Sequence, residues 1–329
     1  MVVFLIVPFL IISFMWKLFG NIKVKDITNR HVVIIGGSSG IGKSLAILAA
    51  KKNAHVTIIA RNIDKLSEAI TEIKENAINP TDQKINFVSV DVTNFEDVEN
   101  NLCEIEETVG PIYMLVNCAG FAVCGELENF TVNQIKSLIN VNLLGSIYPI
   151  KAIVPKFKER KEGIIVLTGS QVSLFGLYGY SVYSSCKFAL RGLAESLYME
   201  LKPYNISVTL ALPPDTDTPG FKEENKTKPI ETLRISDMGD IFNPGDVANK
   251  IMRDALGGQF FSHIGFESFI TTTLCKGMSP FTSFFQVIME SMIIGWIRLI
   301  SSFYVHRFHK IVQLCYDEKK KQKKIKPNM

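Results

Sequence analysis

The sequence has few cysteines, and their spacing fits neither a metal site nor a disulfide scaffold. Six are spread over 329 residues, at 103, 118, 124, 186, 275 and 315. Metal-binding cysteines come in close pairs, and small disulfide-stapled proteins are far denser in cysteine. We therefore expect no metal, and reduced thiols in a cytosol-like environment. Cys118 and Cys186 are expected to be small apolar packing residues.

A broad basic surface is also lacking. The chain has 36 basic and 32 acidic residues, a net charge of +4, but six of the lysines lie in the run KKKQKKIK at 319–326. The rest of the chain has 30 basic against 32 acidic residues. This balance argues against a nucleic-acid partner. The tail is expected to be solvated, with contact to an anionic membrane surface as the alternative.

Charge is absent from residues 2–16, VVFLIVPFLIISFMW. As a helix the run extends to about 30 Å by Gly20, enough to cross a bilayer. No basic residue precedes it and no small-residue cleavage site follows it, which disfavours a cleaved signal peptide. We predict a membrane anchor over residues 1–20. Basic residues follow the run but do not precede it, so the main domain is expected to face the cytosol.

A second apolar region lies near the C-terminus and is interrupted by Glu290 and Arg298. Two membrane crossings, a helix lying in the interface, and an ordinary helical pair covering a substrate all remain open. The predicted organisation is an anchor (1–20), a catalytic domain (28–262), an apolar membrane-associating region on the substrate side (263–310) and a basic tail (311–329). A homo-oligomer is possible.

Between these ends, short β-branched runs alternate with longer helical patterns. The runs are nearly all apolar, as in strands buried on both faces, and the alternation is typical of a doubly wound α/β fold with a parallel sheet. The stretch 213–245, rich in proline, threonine and charge, is predicted to be a mobile loop over the ligand edge of the sheet. The predicted strands are 31–36, 55–60, 85–90, 113–117, 163–169 and 206–212.

The first predicted strand leads directly into GGSSGIG and then a helix. Glycines at this position allow a tight turn and let the backbone approach a pyrophosphate, whose charge is stabilised by the helix N-terminus. The GxxxGxG spacing differs from the usual GxGxxG, so the position between strand and helix carries the prediction. The predicted phosphate-binding residues are Gly36, Ser38, Ser39, Gly40, Ile41 and Gly42.

The end of the second strand indicates which dinucleotide is bound. Arg61 stands where an NAD-binding protein usually has an acidic residue, and its guanidinium suits a 2′-phosphate. Lys65, one helical turn on, adds a second positive charge. The predicted cofactor is therefore NADPH. Two further sites flank it: Asp91 and Val92 near the adenine, and Asn117, Ala119 and Gly120 in the NCAG tetrad.

Tyr183 and Lys187 are four residues apart in a helical pattern, so their side chains share one face. An ammonium group beside a phenol lowers the pKa of the phenol, which makes it usable in acid–base chemistry. Ser170, after the fifth strand, is placed to hydrogen-bond a substrate carbonyl. Asn142 lies on a helix and is predicted to hold a water in a proton relay.

Taken together, GGSSGIG, NCAG, Asn142, Ser170 and the Tyr183–Lys187 pair resemble the short-chain dehydrogenases/reductases over roughly residues 30–260. The resemblance implies a Rossmann-type sheet of about seven strands and hydride transfer from a nicotinamide. Ser170 would polarise the carbonyl, Tyr183 would donate the proton, and Lys187 would bind the nicotinamide ribose. Pro213 and Thr216 would also contact the cofactor.

One branch of the family matches more of the chain. PPDTDTPGF (213–221), EENKTKPIET (223–232) and MELKPYN (199–205) are similar to membrane-bound reductases of a long-chain keto base in early sphingolipid synthesis. The resemblance implies a lipid ketone substrate and an endoplasmic reticulum membrane, with the catalytic domain facing the cytosol. A membrane-bound reductase of steroids or retinoids is the alternative. A non-catalytic cofactor-binding scaffold is more remote, because both Tyr183 and Lys187 are present.

Overall fold

A computed structural model describes residues 24–325 of the chain. The predicted anchor (1–20) and the last four residues of the tail lie outside this range. The strands are β1 His31–Ile35, β2 His55–Ala60, β3 Ile85–Ser89, β4 Ile112–Asn117, β5 Gly163–Thr168, β6 Ile206–Ala211 and β7 Phe261–Ser262. The α-helices are α1 Gly40–Lys51, α2 Ile63–Glu75, α3 Phe95–Val109, α4 Val132–Ile139, α5 Gly145–Arg160, α6 Ser181–Leu201, α7 Pro219–Asn225, α8 Ile230–Ser236, α9 Pro244–Leu256, α10 Phe266–Cys275 and α11 Phe284–Ile325.

The strands form one parallel sheet in the order β3-β2-β1-β4-β5-β6-β7. Helices cover both faces, each over its own apolar core. The doubly wound fold is thereby confirmed, as are the six predicted strands to within one residue at each end. The order reverses between β1 and β4, and ligands in such sheets bind at the carboxyl ends of the strands beside this switch point.

Two sequence predictions about the sheet need correction. The burial of all six predicted strands on both faces is wrong for β3, because it is the edge strand and Phe87 on it is 36% exposed. The seventh strand, β7, was not located from the sequence. With two residues it is too short for an alternating or continuous apolar pattern to identify.

About half of the stretch 213–245 is helical, in α7, α8 and the start of α9, so its prediction as a mobile loop is wrong for those residues. Thr218 caps α7 by accepting a hydrogen bond from the Phe221 amide, with proline at the first helical position. The second short helix, α8, begins after Pro229. Proline and threonine here start helices rather than break them. A pair of short helices therefore covers the carboxyl edge of the sheet.

Within residues 24–325, two helical stretches are long and apolar enough to cross a membrane, by length and composition alone. The stretch Val132–Arg160 includes α4 and α5, and 44% of its most apolar window is buried. Ile150, Ile153 and Phe157 of α5 belong to the core on one face of the sheet. Phe285–Gln322, within α11, is only 6% buried. Its exposed face includes Trp296 and Phe303, which are 69% and 73% exposed. Of these two stretches, α11 presents the greater apolar surface to the surroundings.

Candidate active site

A cavity of about 370 Å³ opens at the carboxyl edge of the sheet. Its floor comes from the turns after β4, β5 and β6, and one wall comes from the start of α6. The helices α7 and α8 form the cover, and Tyr304 and Phe308 of α11 complete the lining. Of the predicted site residues, those that line the cavity are Ile41, Gly120, Ser170, Tyr183, Lys187, Pro213 and Thr216.

The glycine turn between β1 and α1 is tightly packed against the neighbouring loop. Gly36 has a φ of +78°, and a Cβ atom there would lie 2.7 Å from the backbone of Cys118 and Ala119. A Cβ on Gly42 would lie 2.2 Å from the Gly36 carbonyl oxygen. Side chains at these two positions would displace backbone, so the turn requires glycine. The close approach is the one predicted for a dinucleotide turn.

The N-terminus of α1 has groups free for an anion. Ser39 is the N-cap residue, but its side chain accepts no hydrogen bond from the helix backbone, and the first turn contains no acidic residue. Within the described part of the chain, Arg61 and Lys65 form no ion pair, and both are exposed. Helix N–H groups together with unneutralised cations favour phosphate. These residues fit a phosphorylated dinucleotide cofactor.

Ser170, Tyr183 and Lys187 meet in the cavity. Tyr183 and Lys187 lie one turn apart on α6, with the Lys187 Nζ 5.5 Å from the centre of the Tyr183 ring. That Nζ donates to the Thr168 carbonyl at 2.8 Å, which fixes the lysine below the turn after β5. The Ser170 amide donates to the Ser173 hydroxyl at 3.1 Å and holds the same turn.

The ionisation of this group differs from the sequence-based expectation. Burial raises the pKa of Tyr183, with Glu224 and Cys124 adding to the effect, while a hydrogen bond to Ser170 opposes it. Lys187 was expected to lower that pKa, yet in the protein alone the net shift is upward. Burial also lowers the pKa of Lys187 to about 8. Tyr183 is therefore held as a protonated phenol, the form that donates a proton.

The NCAG segment and Asn142 form a hydrogen-bonded support beside the cavity. Asn117 donates from its side chain to the Gly145 carbonyl at 2.9 Å and accepts from the Ala119 amide at 3.0 Å. Asn142 is fully buried in a π-helical segment. Its side-chain amide accepts a hydrogen bond from the Phe121 amide and donates one to the Phe121 carbonyl. It also donates to the Leu138 carbonyl at 3.0 Å. These bonds engage the side chain predicted to hold a relay water, which points to a positioning role for it.

Several other predicted residues lie away from the cavity lining. Asp91 is exposed and accepts hydrogen bonds from the Thr93 amide and hydroxyl, while Val92 packs near Gly145. These two follow the edge-side strand β3, and their predicted contact with the adenine stays a prediction. The predicted residues outside the lining are Gly36, Ser38, Ser39, Gly40, Gly42, Arg61, Lys65, Asp91, Val92, Asn117, Ala119 and Asn142.

Sequence reasoning missed a polar group on the cover side of the cavity. The Tyr180 hydroxyl donates to Glu224, and Lys228 pairs with Glu224 and Asp215. Asp215, Tyr180 and Glu224 line the cavity with Tyr183. Charged residues in a stretch taken for a loop gave no sign of converging. Among residues 24–325 no group of three or more potential metal ligands occurs.

Comparison with known proteins assigns the family. The model of the short chain dehydrogenase family matches residues 30–229. A 3-ketodihydrosphingosine reductase of Bos taurus is 44% identical over 317 residues, which cover 96% of this chain and 95% of the relative. The chain belongs to the short-chain dehydrogenase family. Its members are enzymes, and the chain retains the residues that the family resemblance predicted to be catalytic.

Two solved structures share the fold. Levodione reductase aligns with a TM-score of 0.65 at 20% identity, covering 72% of this chain and 96% of that one. A short-chain dehydrogenase from Sphingobium yanoikuyae in complex with NADPH aligns with a TM-score of 0.63 at 23% identity, covering 71% and 87%. At these identities the comparison supports the fold alone.

Proposed function

We propose that this protein reduces 3-ketodihydrosphingosine to sphinganine with NADPH, a step of sphingolipid biosynthesis. The observation that carries the proposal is the meeting of Ser170, Tyr183 and Lys187 in one cavity at the ligand edge of the sheet. Near full-length similarity to relatives named for this reduction supports the choice of substrate. The catalytic domain is proposed to span residues 28–262.

In the proposed mechanism the side chains position the ketone and supply a proton. The nicotinamide cofactor supplies the hydride when it is bound. The Ser170 hydroxyl donates to the carbonyl oxygen of the substrate, and the Tyr183 phenol delivers its proton to the same oxygen. Lys187, held by the Thr168 carbonyl, places a positive charge near the phenol oxygen, where it stabilises the phenolate left behind.

NADPH is proposed over NADH because of the cations near the end of β2. Arg61 and Lys65 are exposed and lack carboxylate partners among the residues described, so both are available to a 2′-phosphate. The glycine turn and the N-terminus of α1 would hold the pyrophosphate. The similar fold of a dehydrogenase in complex with NADPH is consistent with this choice.

Replacing Arg61 with Asp is expected to reverse the cofactor preference. A charge-assisted hydrogen bond contributes roughly 1.5–3 kcal/mol, so kcat/KM with NADPH should fall about 10- to 100-fold. The carboxylate repels a 2′-phosphate but accepts from ribose hydroxyls, so kcat/KM with NADH should hold or rise. Steady-state kinetics with both cofactors measures the ratio. Lys74→Asp, near the end of the helix α2 that follows Arg61, is the control, and an unchanged ratio in Arg61→Asp would refute the assignment.

The C-terminal region is proposed to lie on a membrane surface. Near its start, α11 pairs Glu290 with Lys276, and near its end Glu318 pairs with Arg234 of α8 at 2.9 Å. These glutamates are 28 positions apart, about 42 Å along a helix. Lys276 follows α10, and its carbonyl accepts a hydrogen bond from Arg191 of α6 at 3.0 Å, so both ends of α11 are linked to the catalytic domain. We therefore infer that the helix lies along that domain rather than crossing a bilayer. Its exposed apolar face suits the interface.

Lys319 bears on the proposed boundary of the basic tail. It pairs with Glu231 of α8 at 2.6 Å, and the Glu231 side chain is 3% exposed. At least this lysine is thus engaged with the domain and is not simply solvated.

We propose that the membrane is that of the endoplasmic reticulum, with the catalytic domain on the cytosolic side. A cytosolic domain should carry no glycan at Asn129, Asn205 or Asn225, which mass spectrometry of the cell-derived protein would check.

Fluorescence offers a direct test of membrane contact, since the chain has only two tryptophans. In a Trp16→Phe variant reconstituted in vesicles, Trp296 should be strongly quenched by lipids brominated near the headgroup. Shallow insertion of about 5–10 Å predicts weaker quenching by lipids brominated deep in the acyl chain. As control, Val132→Trp in a background with both natural tryptophans changed to Phe should be unquenched, because Val132 is similarly exposed but lies on α4, outside the region proposed to contact the membrane. Trp296 emission that brominated lipids leave unchanged would contradict the proposal.

The proposed substrate is tested by adding 3-ketodihydrosphingosine to the full chain in detergent and following NADPH oxidation. A 17-ketosteroid and retinal are assayed in parallel, because a membrane-bound reductase of steroids or retinoids would share the cofactor site. We expect the long-chain keto base to give the highest kcat/KM. If either alternative substrate exceeds it, the proposed substrate is wrong and the enzyme class stands.

A further inference from the structure

A cluster of polar and charged residues lies on the cover side of the cavity, where Tyr180, Asp215 and Glu224 line it. The Lys228 side chain is fully buried, with its Nζ 3.2 Å from a Glu224 oxygen and 3.8 Å from an Asp215 oxygen. The Tyr180 hydroxyl donates to Glu224, and Lys228 also donates to the Ser236 hydroxyl at 3.4 Å. Among the described residues, one ammonium group thus serves two carboxylates.

The group therefore has one excess negative charge. Glu224 forms an ion pair with Lys228 and accepts a hydrogen bond from Tyr180. Asp215 is beyond hydrogen-bond length from Lys228, and its side chain is 35% exposed. Lys187 also lines the cavity, but its Nζ donates to the Thr168 carbonyl and it forms no ion pair with either carboxylate in the described structure. Asp215 is therefore only weakly paired, and burial raises its pKa. Taking such a carboxylate out of water costs free energy, and a cationic ligand would offset that cost.

Asp215 also borders the space that a substrate would occupy. It follows β6 at the ligand edge and lines the same cavity as Ser170 and Tyr183. The negative charges of Glu224 and Asp215 contribute to raising the pKa of Tyr183, as expected for carboxylates facing the phenol. A cation bound by Asp215 would therefore share the cavity with the reacting carbonyl.

We propose that Asp215, supported by Glu224, binds a protonated amine on the carbon next to the substrate carbonyl. This inference rests on the proposed function, because 3-ketodihydrosphingosine carries its amino group on that carbon. Ser170 and Tyr183 hold the carbonyl oxygen while Asp215 holds the ammonium group. The two contacts fix the orientation of the headgroup, and the alkyl chain is left to run toward Tyr304 and Phe308.

The test compares two ketones, 3-ketodihydrosphingosine and 1-hydroxyoctadecan-3-one, which has the same chain and hydroxyl but no amine. The full-length enzyme should favour the aminoketone in kcat/KM, and Asp215→Asn should reduce that preference roughly 10- to 100-fold, as expected for a charge-assisted contact. The loss should come from the aminoketone, with the plain ketone reduced about as before. Glu224→Gln should reduce the preference less.

Matched controls lie beside each carboxylate. Asp217→Asn and Glu223→Gln neutralise carboxylates that are 59% and 71% exposed and should leave the preference unchanged. If the wild-type enzyme reduces both ketones equally well, or Asp215→Asn keeps the preference, the inference is overturned while the proposed function stands. If neither ketone is reduced, the proposed function itself fails. The wild-type comparison requires no variant to fold.

Discussion

Replacing Tyr183 with phenylalanine is expected to lower kcat/KM for ketone reduction by roughly 10²- to 10⁴-fold, the usual contribution of a positioned general acid. The Tyr183 phenol is the proposed donor of the proton to the carbonyl oxygen, and burial keeps its pKa high. Ser170 can still polarise the carbonyl in this variant, but the proton must then come from water. The fold should be retained, because Phe keeps the ring that packs in the cavity wall.

The measurement pairs steady-state kinetics with a fluorescence titration of NADPH binding. The Kd for NADPH should change less than about threefold, which separates loss of proton transfer from loss of the site. Tyr198→Phe is the control, because it removes a phenol hydroxyl from the same helix α6 outside the cavity lining. If Tyr183→Phe keeps more than a third of the activity, Tyr183 is not the proton donor.

The sheet was predictable because its signals are local. The six longer strands are short, mostly apolar runs, and the buried pattern of β1 follows directly from HVVII. The glycine turn was predictable for the same reason, since strand, turn and helix are adjacent in the chain. What local signals cannot give is the place of a strand in the sheet, so the exposure of β3 at the edge was missed.

The cover of the cavity was harder to predict than its floor. Tyr180 and Glu224 are 44 positions apart, and their contact depends on how α7 folds back over the start of α6. Asp215 and Lys228 read as ordinary charges in a polar stretch. A buried ion pair becomes visible only when tertiary structure shows which charges have lost water. The floor residues, by contrast, all follow strands, whose ends share one edge.

Lys187 connects the chemistry of the site to the stability of the fold. Its side chain is buried, and among residues 24–325 it has a carbonyl partner but no carboxylate. Burial lowers its pKa to about 8 from a usual value of 10.5. The charged form is therefore less stable in the folded protein than in the unfolded chain. A pKa difference of this size corresponds to about 3 kcal/mol of lost stability below pH 8.

Replacing Lys187 with methionine is therefore expected to raise stability and abolish most of the activity. Methionine fills a similar volume without a charge, so the free energy of unfolding at pH 7 should rise by roughly 1–3 kcal/mol. Activity should fall about 10²-fold or more, because the phenolate of Tyr183 loses its nearby cation. Chemical denaturation and steady-state kinetics on the same preparation measure both effects.

The stability difference between wild type and Lys187→Met is expected to depend on pH. The unfolded chain keeps Lys187 protonated up to about pH 10.5, whereas the folded protein releases the proton near pH 8. As pH rises from 8 to 10.5, the free energy of unfolding of the wild type should therefore rise relative to that of Lys187→Met. The higher stability of the variant should disappear over that pH range. Lys136→Met, at an exposed lysine on α4 with no ion pair in the described structure, should show no such advantage at any pH. If the Lys187→Met protein is less stable than wild type at pH 7, the prediction is wrong. The buried ammonium group would then stabilise the fold instead of destabilising it.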